Sequence, residues 1–439
     1  MSPHLIAILV LVGIFFLGTV RSVNLGVLAL VGAFGVGLWA FGSEMGEVLA
    51  GFPANLFVIL VGVTYLFAIA KRNGTVDWLV QGSVRAVRGR VAALPWVMFV
   101  LSGILVGLGA LSPAAVAIIA PIGMAFAARY RINPLLMGLM VIHGSAAGNF
   151  SPLGVLGVIT NGIVDRSGLP GSPTILFLAN VVFNVALAVI IYLAFGGLRL
   201  LRSGDRCHDE ERDEPENGLT EPGDGGVRVA VKASVPRVKS PAQQRERVAT
   251  VVGLAVLAVG ALVFDLDIGF TALTVASVLA LMSPATAKAA IADISWGVVL
   301  LICGIVTYVG FLESVGTVDY IGDAIASVSS PFLAALVLLL AGALVSAFAS
   351  TTGILGALIP LAVPLLAAGE LGAVALVAAL SISASVVDSS PFSTNGALVV
   401  ANAPAGREAM VYRGLMIWGF SLVLVTPLVT WATLVLPGW

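Results

Sequence analysis

Asp388-Ser389-Ser390-Pro391-Phe392-Ser393-Thr394-Asn395-Gly396 stands in the middle of an otherwise apolar run from about 371 to 402. Hydroxyls, an amide, a carboxylate and a proline are all out of place there. Proline removes a backbone donor and clashes with the preceding turn, so a helix breaks or kinks at it. The run is also too long for one straight crossing of a bilayer, because about 30 residues rising roughly 1.5 Å each reach about 45 Å. A second such run, about 135–164, is interrupted by Gly148-Asn149-Phe150-Ser151-Pro152-Leu153-Gly154. Pro391 and Pro152 are 239 positions apart (391 − 152), and so are Asp388 and Asn149 (388 − 149).

The surroundings of these two stretches require lipid. Of 439 residues 59% are hydrophobic and 10% charged, with a mean hydropathy of +1.08. A soluble domain carries roughly 25% charged residues. Further apolar runs fall at about 4–20, 24–42, 54–70 and 173–198, then 248–264, 268–283, 296–312 and 411–436. Two more, 92–127 and 331–367, are broken at Gly109 and Ser112-Pro113 and at Ser350-Thr351-Thr352-Gly353. The first run has no preceding Lys or Arg and no small-residue cleavage pattern after it, so it reads as a retained span. Cys207 lies in a charged segment and Cys303 in an apolar run, which argues against a disulfide. No phosphate loop or paired metal-binding cysteines occur, so no cofactor is expected beyond Na+ as a bound coupling ion.

The two halves repeat each other. Gly74-Thr75-Val76-Asp77-Trp78 recurs as Gly316-Thr317-Val318-Asp319-Tyr320, and Thr64-Tyr65 recurs as Thr307-Tyr308. Pro121 matches Pro360 at the same offset as the breaks, 239 (360 − 121). The expected organisation is a first repeat over 1–198, a solvated linker over 199–247 and a second repeat over 248–439. If 92–127 and 331–367 are re-entrant hairpins, each half has five true crossings, and an odd number inverts the second copy. With the N- and C-termini outside, Lys71, Arg72, Arg129, Lys288, Arg407 and the linker's basic residues all fall inside. The fold class is therefore an all-α polytopic membrane protein. It has two inverted repeats of five transmembrane helices, each with a re-entrant helical hairpin and one broken helix.

Inverted repeats with discontinuous helices are the architecture of secondary transporters, with the site near the bilayer midplane. Irregular backbone survives at that depth only where it lines a cavity or is buried in protein. The hairpin tips and the helix breaks meet that condition. Half-helix N-termini there attract anions, whereas carbonyls with Ser, Thr and Asn oxygens suit a small hard cation. The spans supply no Lys or Arg for a substrate carboxylate, so an anionic substrate calls for cation coupling. Asp388 is a carboxylate in mid-span, where a charge costs about 2.5–3.5 kcal/mol on insertion scales. Cation ligand, proton carrier and hydrogen-bonded brace all remain open for it. His143 reads as a packing histidine or a proton site, and Asp77 and Asp319 as interfacial cap residues.

On these residues the sequence resembles the MatC-type malonate and dicarboxylate carriers. The resemblance is carried by Val63-Thr64-Tyr65-Leu66-Phe67-Ala68-Ile69-Ala70, by Met137-Gly138-Leu139-Met140-Val141-Ile142-His143-Gly144, and by Ser390-Pro391-Phe392-Ser393-Thr394-Asn395-Gly396 with its continuation to Pro404. More distantly the layout is similar to the divalent-anion/sodium symporters of the ion transporter superfamily. That likeness implies a homodimer, with a scaffold part and a moving transport part working as an elevator. The Ser-Asn-Thr triplet of that family's hairpin tips corresponds to Leu111-Ser112-Pro113 and Ser350-Thr351-Thr352 here; neither keeps the Asn.

The expected function is import of malonate or a related short dicarboxylate, coupled to Na+ or H+, in the inner or plasma membrane of a bacterium. Ser112, Asn149 and Ser151 are expected to meet one substrate carboxylate. Thr351, Thr352, Ser393, Thr394 and Asn395 are expected to meet the other, with a cation near Ser350 and Asp388. The expected partners are the dicarboxylate, Na+ or H+, the bilayer and a second copy of the chain, and not nucleic acid. A cation/proton antiporter or an inorganic-anion exporter is the alternative on the same fold. An intramembrane hydrolase built on His143 and Ser145 is disfavoured, because residues two apart on a helix point to different faces.

Overall fold

The computed structural model describes the chain except for residues 1, 22, 77, 79–90, 204–240, 265, 318–319, 321–329, 348–350, 368–370 and 439. Helices account for the secondary structure of the described residues. The first half contains α1 (Pro3–Arg21), α2 (Leu25–Val36, extended by a π turn over Gly37–Phe41), α3 (Met45–Ala50) and α4 (Ala54–Arg72). It continues through α5 (Leu94–Gly107), α6 (Ser112–Arg129), α7 (Pro134–Gly148), α8 (Val155–Arg166), α9 (Pro173–Ala194) and α10 (Gly197–Ser203). The second half contains α11 (Pro241–Val263), α12 (Ile268–Met282), α13 (Pro284–Ala290), α14 (Trp296–Ser314), α15 (Pro331–Ser346) and α16 (Thr351–Leu361). It ends with α17 (Val363–Ala367), α18 (Ala373–Val386), α19 (Thr394–Ala401) and α20 (Glu408–Thr430). Among the described residues six helical stretches are long and apolar enough to cross a membrane unaided, and shorter apolar helices accompany them.

Each expected feature has a helix boundary to match it. The run at 135–164 divides into α7 and α8, and the run at 371–402 divides into α18 and α19. The stretches at 92–127 and 331–367 are the helix pairs α5–α6 and α15–α16 with α17. The segment expected as linker is helical at both ends, through α10 and the first turns of α11. There Gln243, Gln244, Arg245, Glu246 and Arg247 continue the apolar face of the span into a polar first stretch, which a hydropathy reading alone excludes. Asp77, Asp319, Cys207 and Ser350 lie outside the described residues.

The packing reproduces the duplication. α2 packs on α14 as α4 packs on α12. α5 lies along α7 as α15 lies along α18, and α9 covers α7 as α20 covers α18. Most telling, α6 packs on α19 of the other half, and α16 packs on α8. The second arm of each hairpin thus meets the second segment of the opposite broken helix, and the two repeats interlock at their irregular points.

Equivalent hydrogen bonds fasten each hairpin to its own helix break. The Ser151 hydroxyl donates to the carbonyl of Gly107 at 2.8 Å, and Ser390 donates to that of Ala347 at 3.3 Å. Both carbonyls belong to the last turn of a hairpin's first arm. The breaks themselves need glycine. A Cβ at Gly157 or at Gly396 would fall 2.0 Å from the carbonyl oxygen of Ser151 or of Ser390. The first arm of each hairpin is thus tied to a break partway along a broken helix.

Candidate functional site

A cavity of about 480 Å³ opens where the two tips and the two breaks meet. Ser112, Asn149, Thr351, Thr352, Asp388, Ser393, Thr394 and Asn395 line it. The remaining wall comes from the other side of the molecule, from Asn24 and Leu25 at the start of α2 and Leu301 of α14. That wall was not foreseen from the sequence, since no break marks it. Its one readable signal is Asn24 in the short connection between two apolar runs. Ser151 is absent from the lining, a correction to the expected set: its hydroxyl points to the Gly107 carbonyl and also accepts from the Leu153 N–H at 3.3 Å.

The polar side chains are tied together across the repeats. Asn395 Nδ2 donates to Ser112 Oγ at 2.9 Å, joining α19 to α6. Ser112 Oγ lies 2.8 Å from Ser145 Oγ, and Ser145 donates its own proton to the Ile142 carbonyl at 2.7 Å. Ser112 is therefore the donor to Ser145. Asn395 is 3% exposed, and its Oδ1 has no hydrogen-bond partner among the described residues. A buried acceptor left unpaired costs about 1–3 kcal/mol, so this oxygen calls for a cation or a donor. In the second hairpin Thr351 Oγ1 is 2.9 Å from Ser346 Oγ, which donates to the Ala384 carbonyl at 2.7 Å. Ser393 is engaged differently from the expectation. Its hydroxyl is held by the carbonyls of Asp388 and Ser390 and accepts the Gly396 N–H at 3.1 Å. It is the N-cap of α19. Ser145 and Ser346 were missed because a serine inside an apolar run gives no sign of which neighbour it will meet.

Electrostatics of the cavity come from the backbone. α6, α8, α16 and α19 all begin at its wall, at Ser112, Val155, Thr351 and Thr394. Each helix N-terminus carries roughly half a positive charge on N–H groups that have no intrahelical partner. Four of them sum to roughly two positive charges, the amount that balances a dicarboxylate. Among the described residues no Lys or Arg lines the cavity. Among the described lining residues Asp388 is the lone carboxylate, with Thr351 close by. An anion held by the N-termini needs a cation or a proton between itself and Asp388.

His143 lies away from this cavity. It is fully buried, accepts from Trp418 Nε1 at 2.9 Å through Nε2, and meets Asn184 Oδ1 at 3.1 Å through Nδ1. Asn184 donates to Asn180, and Asn180 Nδ2 donates to the carbonyls of Ala146 and Ala147. The chain of bonds therefore ends on the last turn of α7, just before the break. His143 is the packing histidine of the two readings, and Ser145 makes no contact with it that could serve as a dyad.

Residues 1–149 match the family model described as the N-terminus of the dicarboxylate carrier protein MatC, and residues 262–436 match the citrate transporter family model. The chain is a secondary transporter. Its matches lie on both sides of the linker, so both halves of the transporter carry the resemblance. The crystal structure of the Alcanivorax borkumensis YdaH transporter shares the fold, with a TM-score of 0.60 over 88% of this chain and 86% of that one at 14% identity. No curated protein sequence matches the transporter. It is a multi-span helical membrane protein and a carrier, not an enzyme.

Proposed function

We propose that this transporter imports malonate or a similarly short dicarboxylate, coupled to Na+ or H+, by elevator-type movement of the hairpins and broken helices within a homodimer. The observation that carries the proposal is the convergence of four helix N-termini on a cavity lined by hydroxyls and amides, with one carboxylate and no basic side chain. One substrate carboxylate lies at Ser112 and Asn149, facing the starts of α6 and α8. The other lies at Thr351, Thr352, Thr394 and Asn395, facing the starts of α16 and α19. The coupling cation lies by Asp388. The positive-inside bias places Lys71, Arg72 and the 199–247 segment in the cytoplasm and both termini outside.

A cation/proton antiporter would also use Asp388. Four N-termini around the same carboxylate disfavour a site whose cargo is a cation alone. An inorganic-anion exporter is separated by competition, since it predicts that short dicarboxylates fail to displace its substrate.

Equilibrium binding of radiolabelled malonate to the purified protein tests the assignment. Affinity is expected to rise with added Na+ or with falling pH, and to weaken about tenfold in Asn395→Ala, the size of one lost hydrogen bond to a charged group. Ser151→Ala is expected to stay within about twofold, because its hydroxyl serves the hairpin. Equal affinity in Asn395→Ala and the parent, or a larger loss in Ser151→Ala, would remove this geometry from the site.

A further inference from the structure

A second, smaller cavity of about 160 Å³ lies on the far side of the first hairpin tip. Its walls include Thr64 and Lys71 of α4, Gly109 and Leu111 of the tip, and Asp293 and Ser295 ahead of α14. Leu111 lines both cavities, so they adjoin across this part of the tip. The tip is pressed onto α4 at this point. Gly109 adopts φ 111°, and a Cβ there would come within 2.5 Å of Val63.

The charge in this cavity is uneven. Asp293 is paired with Arg72 through two bonds of 2.5 and 3.0 Å, and the guanidinium holds the carboxyl below the usual carboxylate range. That carboxylate is ionised and already matched. Lys71 has no acceptor among the described residues, so the group of Lys71, Arg72 and Asp293 retains one net positive charge. Ser295, half-buried at the start of α14, makes no capping bond with its hydroxyl. An exposed lysine at the end of a span ordinarily snorkels toward lipid headgroups; this one lines a cavity that abuts the central site. An anion leaving the central cavity past Leu111 would meet Lys71 as its first full positive charge.

We propose that this cavity is a second carboxylate subsite, a transit station in which Lys71 and Ser295 take one carboxylate of the substrate as it passes Leu111. The proposal rests on the anionic-substrate reading above, and its test separates the two. The reporter is Ser295→Cys in full-length protein carrying Cys207→Ser, reconstituted in vesicles; Ala114→Cys, on the same wall, serves if Ser295→Cys does not fold. The readout is the rate of modification by a negatively charged sulfonate thiol reagent divided by that of a neutral reagent of similar size. A positive site concentrates the anionic reagent, so Lys71→Gln is expected to lower the ratio about fivefold and Lys71→Arg to restore it, with the effect shrinking at high salt. For malonate presented from the Lys71 face, Lys71→Gln is also expected to raise KM about fivefold while equilibrium affinity stays within about twofold. A ratio indifferent to Lys71→Gln overturns the subsite. A Lys71-dependent ratio in a protein that moves no malonate upholds an anion subsite and rejects malonate as its cargo.

Discussion

Asp388→Asn is expected to reduce concentrative substrate uptake at least about thirtyfold while the protein still elutes as a single folded species. Removing one partner of a desolvated charge pair costs about 2–5 kcal/mol, and each 1.4 kcal/mol is tenfold. Asparagine keeps the size of the side chain and one of its acceptor oxygens. A carboxylate that only braces the break would therefore tolerate the change, and uptake would fall by severalfold at most. Loss of ion dependence together with loss of uptake marks Asp388 as the residue that couples cation to anion. Uptake close to the parent level would assign it to the brace and require the coupling cation to sit elsewhere, with Asn395 Oδ1 the next ligand to test.

The second large effect is structural. Gly304→Ala is expected to prevent assembly of the part built from α1, α2 and α14. A Cβ at Gly304 would fall 1.9 Å from the Gly26 carbonyl oxygen, and one at Gly26 would fall 1.9 Å from that of Leu300. α2 and α14 thus cross backbone against backbone, with no flexible side chain to yield. Small residues permit this close approach in membranes, where packing rather than the hydrophobic effect joins helices. Overpacking a fitted core costs about 1–3 kcal/mol where neighbours can shift; here the neighbour is main chain and the cost exceeds that range. Fluorescence-detected size exclusion should show aggregate for Gly304→Ala and a normal peak for Gly13→Ala, whose added Cβ would meet nothing within 4 Å. A monodisperse Gly304→Ala protein would show that the crossing can open without loss of the fold.

The sequence revealed most about the irregular points, for a physical reason. A proline clustered with hydroxyls and glycines in an apolar run favours a break, so Pro152, Pro391, Ser112 and Thr351 announced the tips and breaks before any packing was known. The offset of 239 between the breaks then announced the pairing of halves. What stayed hidden is direction. A serine at a break can face the cavity or the neighbouring hairpin, and nothing in its neighbours along the chain distinguishes Ser112, which faces the cavity, from Ser151, which does not. The repeat itself held a clue, since Ser151 and Ser390 occupy the same place and form the same brace. The wall formed by Asn24, Leu25 and Leu301 depends on how the halves dock, a property of surfaces that ordinary apolar helices do not advertise. Asn180 and Asn184, one turn apart in an apolar span, were a legible sign of the buried chain that ends at α7; only their partner, His143, had been noticed.

The central claim is that four helix N-termini and Asp388 together make a cation-coupled dicarboxylate site. Its most direct test is uptake of radiolabelled malonate into proteoliposomes under an imposed Na+ gradient and, separately, an imposed proton gradient. Accumulation above equilibrium is expected under one of the two gradients, abolished by Asp388→Asn and competed by other short dicarboxylates. No accumulation under either gradient, in vesicles shown to contain folded protein, would contradict the claim.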